Sequence, residues 1–145
     1  MIIVPDASVL LKWVLQRDEE TDSTAALRLL ESYTDGQIDI QFPSLWRYEV
    51  GNVLARKIGR LAPDALRTLI AYEFVEHSLE LDYCLAVLRF VRGLPTASFY
   101  GASYHVLAIR LRGLFVTADQ KYLNASRRRG RVVSLVDWTA TLPGA

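Results

Sequence analysis

The chain has 145 residues, of which 51% are hydrophobic, and it carries a formal net charge of +1. This length accommodates one domain with a sizeable core and excludes a second. No apolar stretch reaches the roughly 20 residues that cross a bilayer, and the start of the chain lacks the basic segment of a signal peptide. Cys84 is the only cysteine, which excludes an internal disulfide. We therefore expect a cytoplasmic protein, not attached to a membrane, with one domain over residues 1–145.

The hydrophobic pattern predicts short strands alternating with longer helices. Strands are predicted where runs are rich in β-branched or aromatic residues, and helices where apolar residues recur every three or four positions. In chain order the predicted elements are a strand at 2–5, helices at 7–15 and 22–33, a strand at 38–42, helices at 45–56, 63–74, 81–91 and 99–111, and strands at 114–117 and 131–135. This alternation is typical of a single-domain α/β/α sandwich with a mostly parallel central sheet.

Three acidic residues lie where a metal-dependent nuclease would need them. Asp6 directly follows the first strand, Asp119 follows strand 114–117, and Glu49 lies on the inward side of helix 45–56. The carboxyl ends of parallel strands are where ligands collect, and clustered carboxylates repel one another unless a hard cation neutralises them. Thr117 is placed to hold a carboxylate by its hydroxyl. The sequence therefore predicts a Mg²⁺ or Mn²⁺ site.

Each acid also has a structural explanation. Asp6 and Asp119 precede predicted helices and could be N-caps, which contribute about 1 kcal/mol each. Glu49 could pair with Arg56 or another cation at the surface. Taken singly, none of the three is informative, whereas their joint arrangement favours the metal site.

The positive charge is concentrated near the end of the sequence. Residues 100–145 carry seven Lys or Arg against two aspartates, and residues 1–99 are net negative. The densest cluster consists of Arg127, Arg128, Arg129 and Arg131. Such a cluster beside a carboxylate site would bind the backbone of an RNA substrate. The alternative is a solvated turn before the last strand.

Other acidic-pocket folds fit less well. A response-regulator receiver needs adjacent acids after the first strand, and a haloacid-dehalogenase-like phosphatase needs an aspartate where Ser8 stands. A dinucleotide-binding fold needs a glycine-rich turn after the first strand, which is absent. His77 and His105 are isolated in the sequence, and each is expected to be a surface or core residue.

Five blocks of sequence follow one another in an order and at spacings that carry a family resemblance. They are VPDASVLLKW (4–13), PSLWRYEVGNVL (43–54), SFYGASYHVLA (98–108), FVTADQKY (115–122) and VDW (136–138). Together they resemble the PIN-domain ribonucleases, in particular the VapC-type toxins of bacterial and archaeal toxin–antitoxin pairs. The resemblance covers nearly the whole chain.

The resemblance implies a Mg²⁺- or Mn²⁺-dependent endoribonuclease whose metal site is formed by Asp6, Asp119 and Glu49. Asp6 would be the central ligand, and Asp119 would be a second ligand or act through a bound water. It implies that Glu49 positions or deprotonates the attacking water, while Ser8 and Thr117 orient the carboxylates. The implied partners are an RNA substrate, a cognate antitoxin and a second copy of the chain, which would associate through helix 63–74.

One position departs from the family pattern. In the family an aspartate that binds the metal normally follows the Phe-Tyr pair, and here that position is Gly101. Glycine in a helix costs up to about 1 kcal/mol relative to alanine, so local stability gives no reason for it. Either the natural protein lacks this ligand, or an aspartate was replaced to disable a toxic enzyme. The alternative function is therefore a catalytically inactive PIN-like module that binds antitoxin or RNA.

Overall fold

The computed structural model describes residues 1–15 and 22–144, and in this part of the chain five strands form one sheet. The sheet order is β3-β2-β1-β4-β5, and all four neighbouring pairs run parallel. The strands are β1 (Ile2–Pro5), β2 (Asp39–Pro43), β3 (Val75–His77), β4 (Leu114–Thr117) and β5 (Val132–Ser134). The parallel sheet predicted from the sequence is confirmed.

The helices between the strands cover both faces of the sheet. They are α1 (Ala7–Val14), α2 (Ser23–Thr34), α3 (Trp46–Lys57), α4 (Ala62–Ala71), α5 (Leu81–Val91), α6 (Phe99–Arg110), α7 (Gln120–Ser126) and α8 (Leu135–Ala140). Helices α1 to α4 pack on one another and α2 contacts α8, whereas α5 packs on α6, and α6 lies on the central strands. Because crossovers between parallel strands are right-handed, these groups occupy opposite faces. The α/β/α sandwich is confirmed.

The central strands are buried on both faces, as expected when helices cover both sides of a parallel sheet. Ile3 and Val4 of β1 have no exposed surface, and neither has Val116 of β4. The start of β4 comes close to β1 at Gly113, where a Cβ atom would lie 2.6 Å from the Ile2 carbonyl oxygen. Gly113 is required by this close approach, and the two strands carry their C-terminal residues to the same edge.

The structure differs from the sequence prediction in strand β3 and helix α8, which were not predicted, in helix α7, which was expected after Asp119 without bounds, and in the end of helix α4. Strand β3 was not predicted, because its three residues alternate too briefly to give a signal. Helix α4 ends at Ala71 and not at residue 74, since Glu73 adopts a left-handed conformation with φ of 54°. Phe74 is then free to turn into the core, where it packs against Tyr33, Phe42 and other aromatic rings. Strands β2 and β5 agree with the prediction to within one residue at each end.

The two histidines and the cysteine have structural environments. His105 is fully buried, between Phe90 and Phe115, which confirms the expectation of a core residue. His77 is half-buried and its Nε2 hydrogen-bonds Gln41 Oε1 at 2.7 Å. Cys84 is half-buried and its thiol donates to the Leu79 carbonyl at 3.3 Å. None of the described helices is long and apolar enough to span a membrane. The extent of the domain over residues 1–145 stays a prediction.

Candidate active site

The sheet order creates a crevice between β1 and β4. The chain leaves β1 toward β2 and β3, then returns past β1 to β4 and β5, so neighbouring connections diverge at this point. In open α/β sheets such a switch point, at the carboxyl ends of the strands, is where ligands bind. Asp6 follows β1, Asp119 lies two residues after β4, and the Asp6 backbone N–H donates to the Val116 carbonyl at 3.1 Å. The topology therefore brings both aspartates to one crevice.

Asp6 is held by four hydrogen bonds. Its Oδ1 accepts from the N–H groups of Ser8 and Val9, at 2.9 and 3.2 Å, and also from the Ser8 hydroxyl. Its Oδ2 accepts from the Thr117 hydroxyl. Asp6 is thus the N-cap of α1, as one of its two interpretations predicted. The cap also fixes the carboxylate at the floor of the crevice.

Thr117 connects the two aspartates. It is buried, its hydroxyl donates to Asp6 Oδ2, and its Oγ1 accepts from the Asp119 backbone N–H at 3.0 Å. Asp119 is exposed and its Oδ1 accepts from the Tyr122 N–H at 3.0 Å, which caps α7. The predicted contact of the Thr117 hydroxyl with a carboxylate is confirmed, although the carboxylate is that of Asp6.

Glu49 enters the same crevice from the first turn of α3. Its Oε2 lies 3.5 Å from the Tyr104 hydroxyl, which is the donor. Its Oε1 is buried and has no hydrogen-bond partner among residues 1–15 and 22–144. A buried carboxylate oxygen without a partner is unfavourable and is seldom left so without a ligand or another function. The recorded polar side-chain contact of Glu49 is with Tyr104 and not with Arg56.

Burial and neighbouring negative charge shift the pKa values of ionisable groups in the crevice. Burial raises the pKa of Asp6 above its ordinary value, although the hydrogen bonds from Ser8, Thr117 and Val9 oppose the rise. Burial raises the pKa of Glu49 as well, and the negative charge of Asp6 raises it further. Burial and the same two carboxylates raise the pKa of Tyr104, which keeps its phenol protonated. The site therefore concentrates negative charge that the described residues do not neutralise.

Together these residues line one cleft of about 650 Å³. Its floor and walls include the three predicted acids, Asp6, Glu49 and Asp119, together with Ser8 and Gly101. The structure thus brings together five of the positions singled out from the sequence. It adds residues that were not assigned to the site: Tyr48, Asn52, Ser98, Tyr100 and Tyr104.

No family model matches the sequence, and no curated protein matches it either. Solved structures match by fold. VapC20 of Mycobacterium tuberculosis, described as a sarcin-ricin loop cleaving toxin, has a TM-score of 0.66 at 15% identity, over 85% of this chain and 94% of that chain. VapBC2 of Rickettsia felis, solved bound to a DNA fragment from its promoter, has a TM-score of 0.68 at 11% identity, over 92% of this chain and 98% of that chain.

This chain has the VapC fold. The PIN-like architecture implied by the sequence resemblance is thereby confirmed, and it extends over nearly the full length of both solved structures. At these identities the shared property is the fold. The chemistry depends on the residues that this chain places in the crevice.

The VapC fold does not explain the glycine at position 101. Gly101 lies in the first turn of α6, and its N–H donates to Ser98 Oγ at 3.0 Å, which caps the helix. A Cβ atom at this position would meet only the Ser98 hydroxyl, at 3.3 Å. A slight rotation of that hydroxyl relieves the contact. The backbone therefore does not require glycine here, and a Cβ atom at this position is accommodated by a small shift of the Ser98 side chain.

Among the described residues, no three His, Cys, Asp or Glu side chains converge closely enough to hold a metal ion by themselves. Asp6 and Glu49 interact, whereas Asp119 is turned toward the N-terminus of α7. The partnerless Glu49 oxygen is nevertheless what a cation would neutralise. With only Asp6 and Glu49 interacting, the described donor set is incomplete for a divalent ion, and position 101 lines the same cleft.

The arginine cluster lies at the other edge of the sheet. After Asp119, α7 returns the chain to the amino ends of the strands, where Arg131 precedes β5 and donates to the carbonyls of Arg112 and Gly113, at 2.8 and 3.1 Å. The guanidinium of Arg129 lies over the Phe90 ring. We had expected this cluster to lie beside the carboxylates, whereas it lies at the amino ends of the strands. RNA binding by Arg127, Arg128, Arg129 and Arg131 stays a prediction.

Two of the added residues had a signal in the sequence. Tyr48 and Asn52 lie one and three positions from Glu49 on the same helix, so their proximity to the site follows from the helical repeat. Tyr100 and Tyr104 lie on either side of Gly101 in α6. Their aromatic character favours a core position for both. Only the folded structure shows that the Tyr100 ring is exposed and that the Tyr104 ring is buried.

Proposed function

We propose that this protein is a metal-dependent endoribonuclease toxin of a toxin–antitoxin pair, and that Gly101 impairs its activity. The observation that carries the proposal is the partnerless, buried Oε1 of Glu49 beside Asp6, in a cleft at the switch point of the sheet. The VapC fold supports it, since VapC20 is itself described as a sarcin-ricin loop cleaving toxin.

Asp6, Glu49 and Asp119 would hold Mg²⁺ or Mn²⁺, with the ion making up for the missing hydrogen-bond partner of Glu49. Carboxylate oxygens are the ligands that these hard cations prefer. An aspartate at position 101 would supply a further carboxylate to the same cleft. With glycine there, fewer protein ligands would hold the ion, and they would hold it more weakly.

When bound, the ion would activate water and stabilise the charge that develops on the phosphate. Glu49 has the raised pKa and the free oxygen that suit a group accepting a proton from the attacking water. Tyr104 fixes Glu49 through its hydroxyl, and Thr117 with Ser8 fixes Asp6. These contacts hold the carboxylates in place against their mutual repulsion.

The proposed partners follow from the same reasoning. VapBC2 is a toxin–antitoxin complex on promoter DNA, which supports a cognate antitoxin for this chain. A homodimer through α4 remains a proposal, and the exposed apolar residues Leu61 and Ile70 lie at or beside that helix.

RNA cleavage by the chain, compared with that by Gly101→Asp and Gly101→Asn, tests the proposal. Each reaction is run with Mg²⁺, with Mn²⁺ and with EDTA. The asparagine has the size of aspartate without its charge, so it separates ligation from filling the cleft. We expect Gly101→Asp to cleave at least about 100-fold faster than the chain and Gly101→Asn to give no gain, with all cleavage lost in EDTA.

A second readout does not depend on cleavage. Titration of Mn²⁺ by calorimetry should show tighter binding by Gly101→Asp than by Gly101→Asn, and Asp6→Asn should abolish it in both. If neither variant nor the chain binds Mn²⁺, the metal site is refuted whatever the RNA assay gives.

The second candidate function is a module that binds antitoxin or RNA without cutting. It is favoured by the absence of a complete three-ligand cluster among the described residues. A module of this kind would bind its partner equally well after Asp6→Asn, and Gly101→Asp would not make it a nuclease.

A further inference from the structure

Two tyrosines stand at the rim of the acidic cleft. Tyr48, in the first turn of α3, is 82% exposed, and Tyr100, in the first turn of α6, is 64% exposed. Both line the cleft that contains the carboxylates. The other five tyrosines of the chain are buried or half-buried. Two large aromatic rings that are exposed to solvent on different walls of one cleft indicate a ligand-binding surface.

The position of the rings defines the part of a ligand that they could reach. The reactive groups lie at the floor, where Glu49 Oε1 is fully buried and Asp6 is held by Thr117. A phosphate that reaches this floor carries its neighbouring nucleotides past the rim. Tyr48 and Tyr100 project from two different helices there, so each would meet the nucleotide on one side of that phosphate.

The chemistry of the rim suits unpaired bases. Every nucleobase has a flat face that stacks on an aromatic ring, and proteins recognise splayed-out RNA bases in this way. Asn52 lies one helical turn from Tyr48, is exposed and lines the same cleft. Its side-chain amide has both donors and an acceptor for the edge of a base. A duplex keeps its bases stacked on one another and offers no free face to the tyrosines.

We infer that Tyr48 and Tyr100 stack the unpaired nucleobases on either side of the phosphate that enters the cleft. They are specificity residues, which select a single-stranded or looped segment over a duplex. The inference rests on the proposed function for the identity of the phosphate. It can nevertheless be tested by binding alone.

Fluorescence anisotropy measures the binding of a labelled, unstructured RNA 12-mer and of the same RNA in a duplex. Ca²⁺ replaces Mg²⁺ so that binding is followed without turnover, and a gel confirms that the RNA is intact. The variants are Tyr48→Ala, Tyr100→Ala and Tyr48→Phe. Leu81→Ala is the control, because Leu81 is 74% exposed and lies outside the cleft.

We expect the single strand to bind more tightly than the duplex. Each alanine variant should lose about tenfold in affinity for the single strand, whereas Tyr48→Phe and Leu81→Ala should bind as the chain does. A 12-mer in which two adjacent bases are replaced by abasic sites should bind weakly to the chain, and it should lose little more on Tyr48→Ala. This non-additivity identifies the base as the partner of the ring.

The inference is overturned if the duplex binds as well as the single strand, or if the tyrosine variants behave like Leu81→Ala. It is also overturned if these variants lose affinity for the antitoxin alone, since the rim would then be a protein interface. Tyrosine-dependent binding of the 12-mer with no cleavage by Gly101→Asp would leave the inference standing and refute the proposed nuclease. If the tyrosine variants do not alter cleavage, the proposed nuclease stands and the inference is refuted.

Discussion

Charged side chains have different surroundings at the two ends of the strands, which we call the amino edge and the carboxyl edge of the sheet. At the amino edge, Arg131 donates to two backbone carbonyls and Arg129 lies over Phe90, while Nε2 of the buried His105 approaches the Gly130 carbonyl at 2.7 Å. At the carboxyl edge, Glu49 has an oxygen with no partner and lies within reach of the negative charge of Asp6.

The charged groups at the amino edge have partners and stabilise the fold. The acidic groups at the carboxyl edge are held close together although this reduces the stability of the fold. The arginine cluster has the higher charge density, yet the contacts recorded for two of its members are structural. The acids are fewer, and the structure positions them without neutralising them. Groups whose interactions remain incomplete are better indicators of a functional site than charge density.

The largest effect on stability is expected at Thr117, the residue that connects the two aspartates. Thr117→Val keeps the shape of the side chain and removes the hydroxyl, so Asp6 Oδ2 loses its donor and the Asp119 N–H loses its acceptor. We expect the free energy of unfolding to fall by about 2 kcal/mol, measured by urea denaturation. Mn²⁺ affinity should fall too, because Asp6 is no longer fixed.

Thr117→Ser is the matched control, since it keeps the hydroxyl and loses only a methyl group. It should retain Mn²⁺ affinity and most of the stability. If the serine and valine variants lose Mn²⁺ affinity equally, packing at this position and not the hydroxyl bond holds the site together.

A smaller effect is expected at the amino edge. Arg131→Ala removes the donor to the carbonyls of Arg112 and Gly113, which follow the C-terminus of α6. The loss should be about 1 kcal/mol of stability, because a charged donor at a helix C-terminus also interacts favourably with the helix dipole. Arg128→Ala, at an exposed position in the same turn, should be neutral. Equal losses in both variants would mean that the cluster acts through its overall charge.

Most of the fold was predictable because its signals are local. Strands β1 and β4 are short apolar runs followed by aspartates, and the start of helix α6 is marked by its N-cap, Ser98. Strand β3 was missed because three half-exposed residues, one of them Glu76, give no hydrophobic run. The end of α4 was missed because it depends on a glutamate in a left-handed conformation, which is uncommon outside glycine.

The site was predictable as a set of residues and not as an arrangement. Two acids follow adjacent strands, so the topology rule alone brings them together. The location of the arginines depends on the length of α7, which returns the chain across the sheet, and no local pattern reports that. Likewise, nothing in the sequence distinguishes the exposed Tyr100 from the buried Tyr104, since both lie in one apolar helix.

Removing the charge of Glu49 should stabilise the protein in the absence of metal. Because the pKa of Glu49 is raised in the folded state, the folded protein binds more protons than the unfolded chain just above the ordinary pKa. Stability therefore falls as pH rises through that window, and the deficit persists at pH 7. Glu49→Gln should therefore raise the free energy of unfolding in EDTA, measured by urea denaturation.

Added Mn²⁺ should reverse the order of the two proteins. It should raise the melting temperature of the chain and leave that of Glu49→Gln nearly unchanged, since ligand binding stabilises only the form that binds it. If Glu49→Gln is less stable than the chain in EDTA, the carboxylate is making favourable contacts and the cleft is not strained.

The smallest effect is expected from His105, and it has the opposite sign. Burial lowers the pKa of His105 below its ordinary value of 6.5, and the neighbouring Arg129 lowers it further, while the bond to the Gly130 carbonyl opposes this. As the pH falls below 6.5, the imidazole of the unfolded chain takes up a proton before that of the folded protein does. The free energy of unfolding therefore decreases as the pH falls from 6.5 toward the pKa of the folded state.

His105→Gln retains a donor for the Gly130 carbonyl and cannot titrate. Its urea midpoint should therefore change less than that of the chain between pH 7.5 and 5.5. Glu49 and Asp6 change stability in the other direction, and most of that change lies closer to their ordinary pKa values, so the two edges can be separated by pH. If both proteins show the same slope in this range, the amino edge contains no group that opposes protonation, and its contrast with the cleft is one of geometry alone.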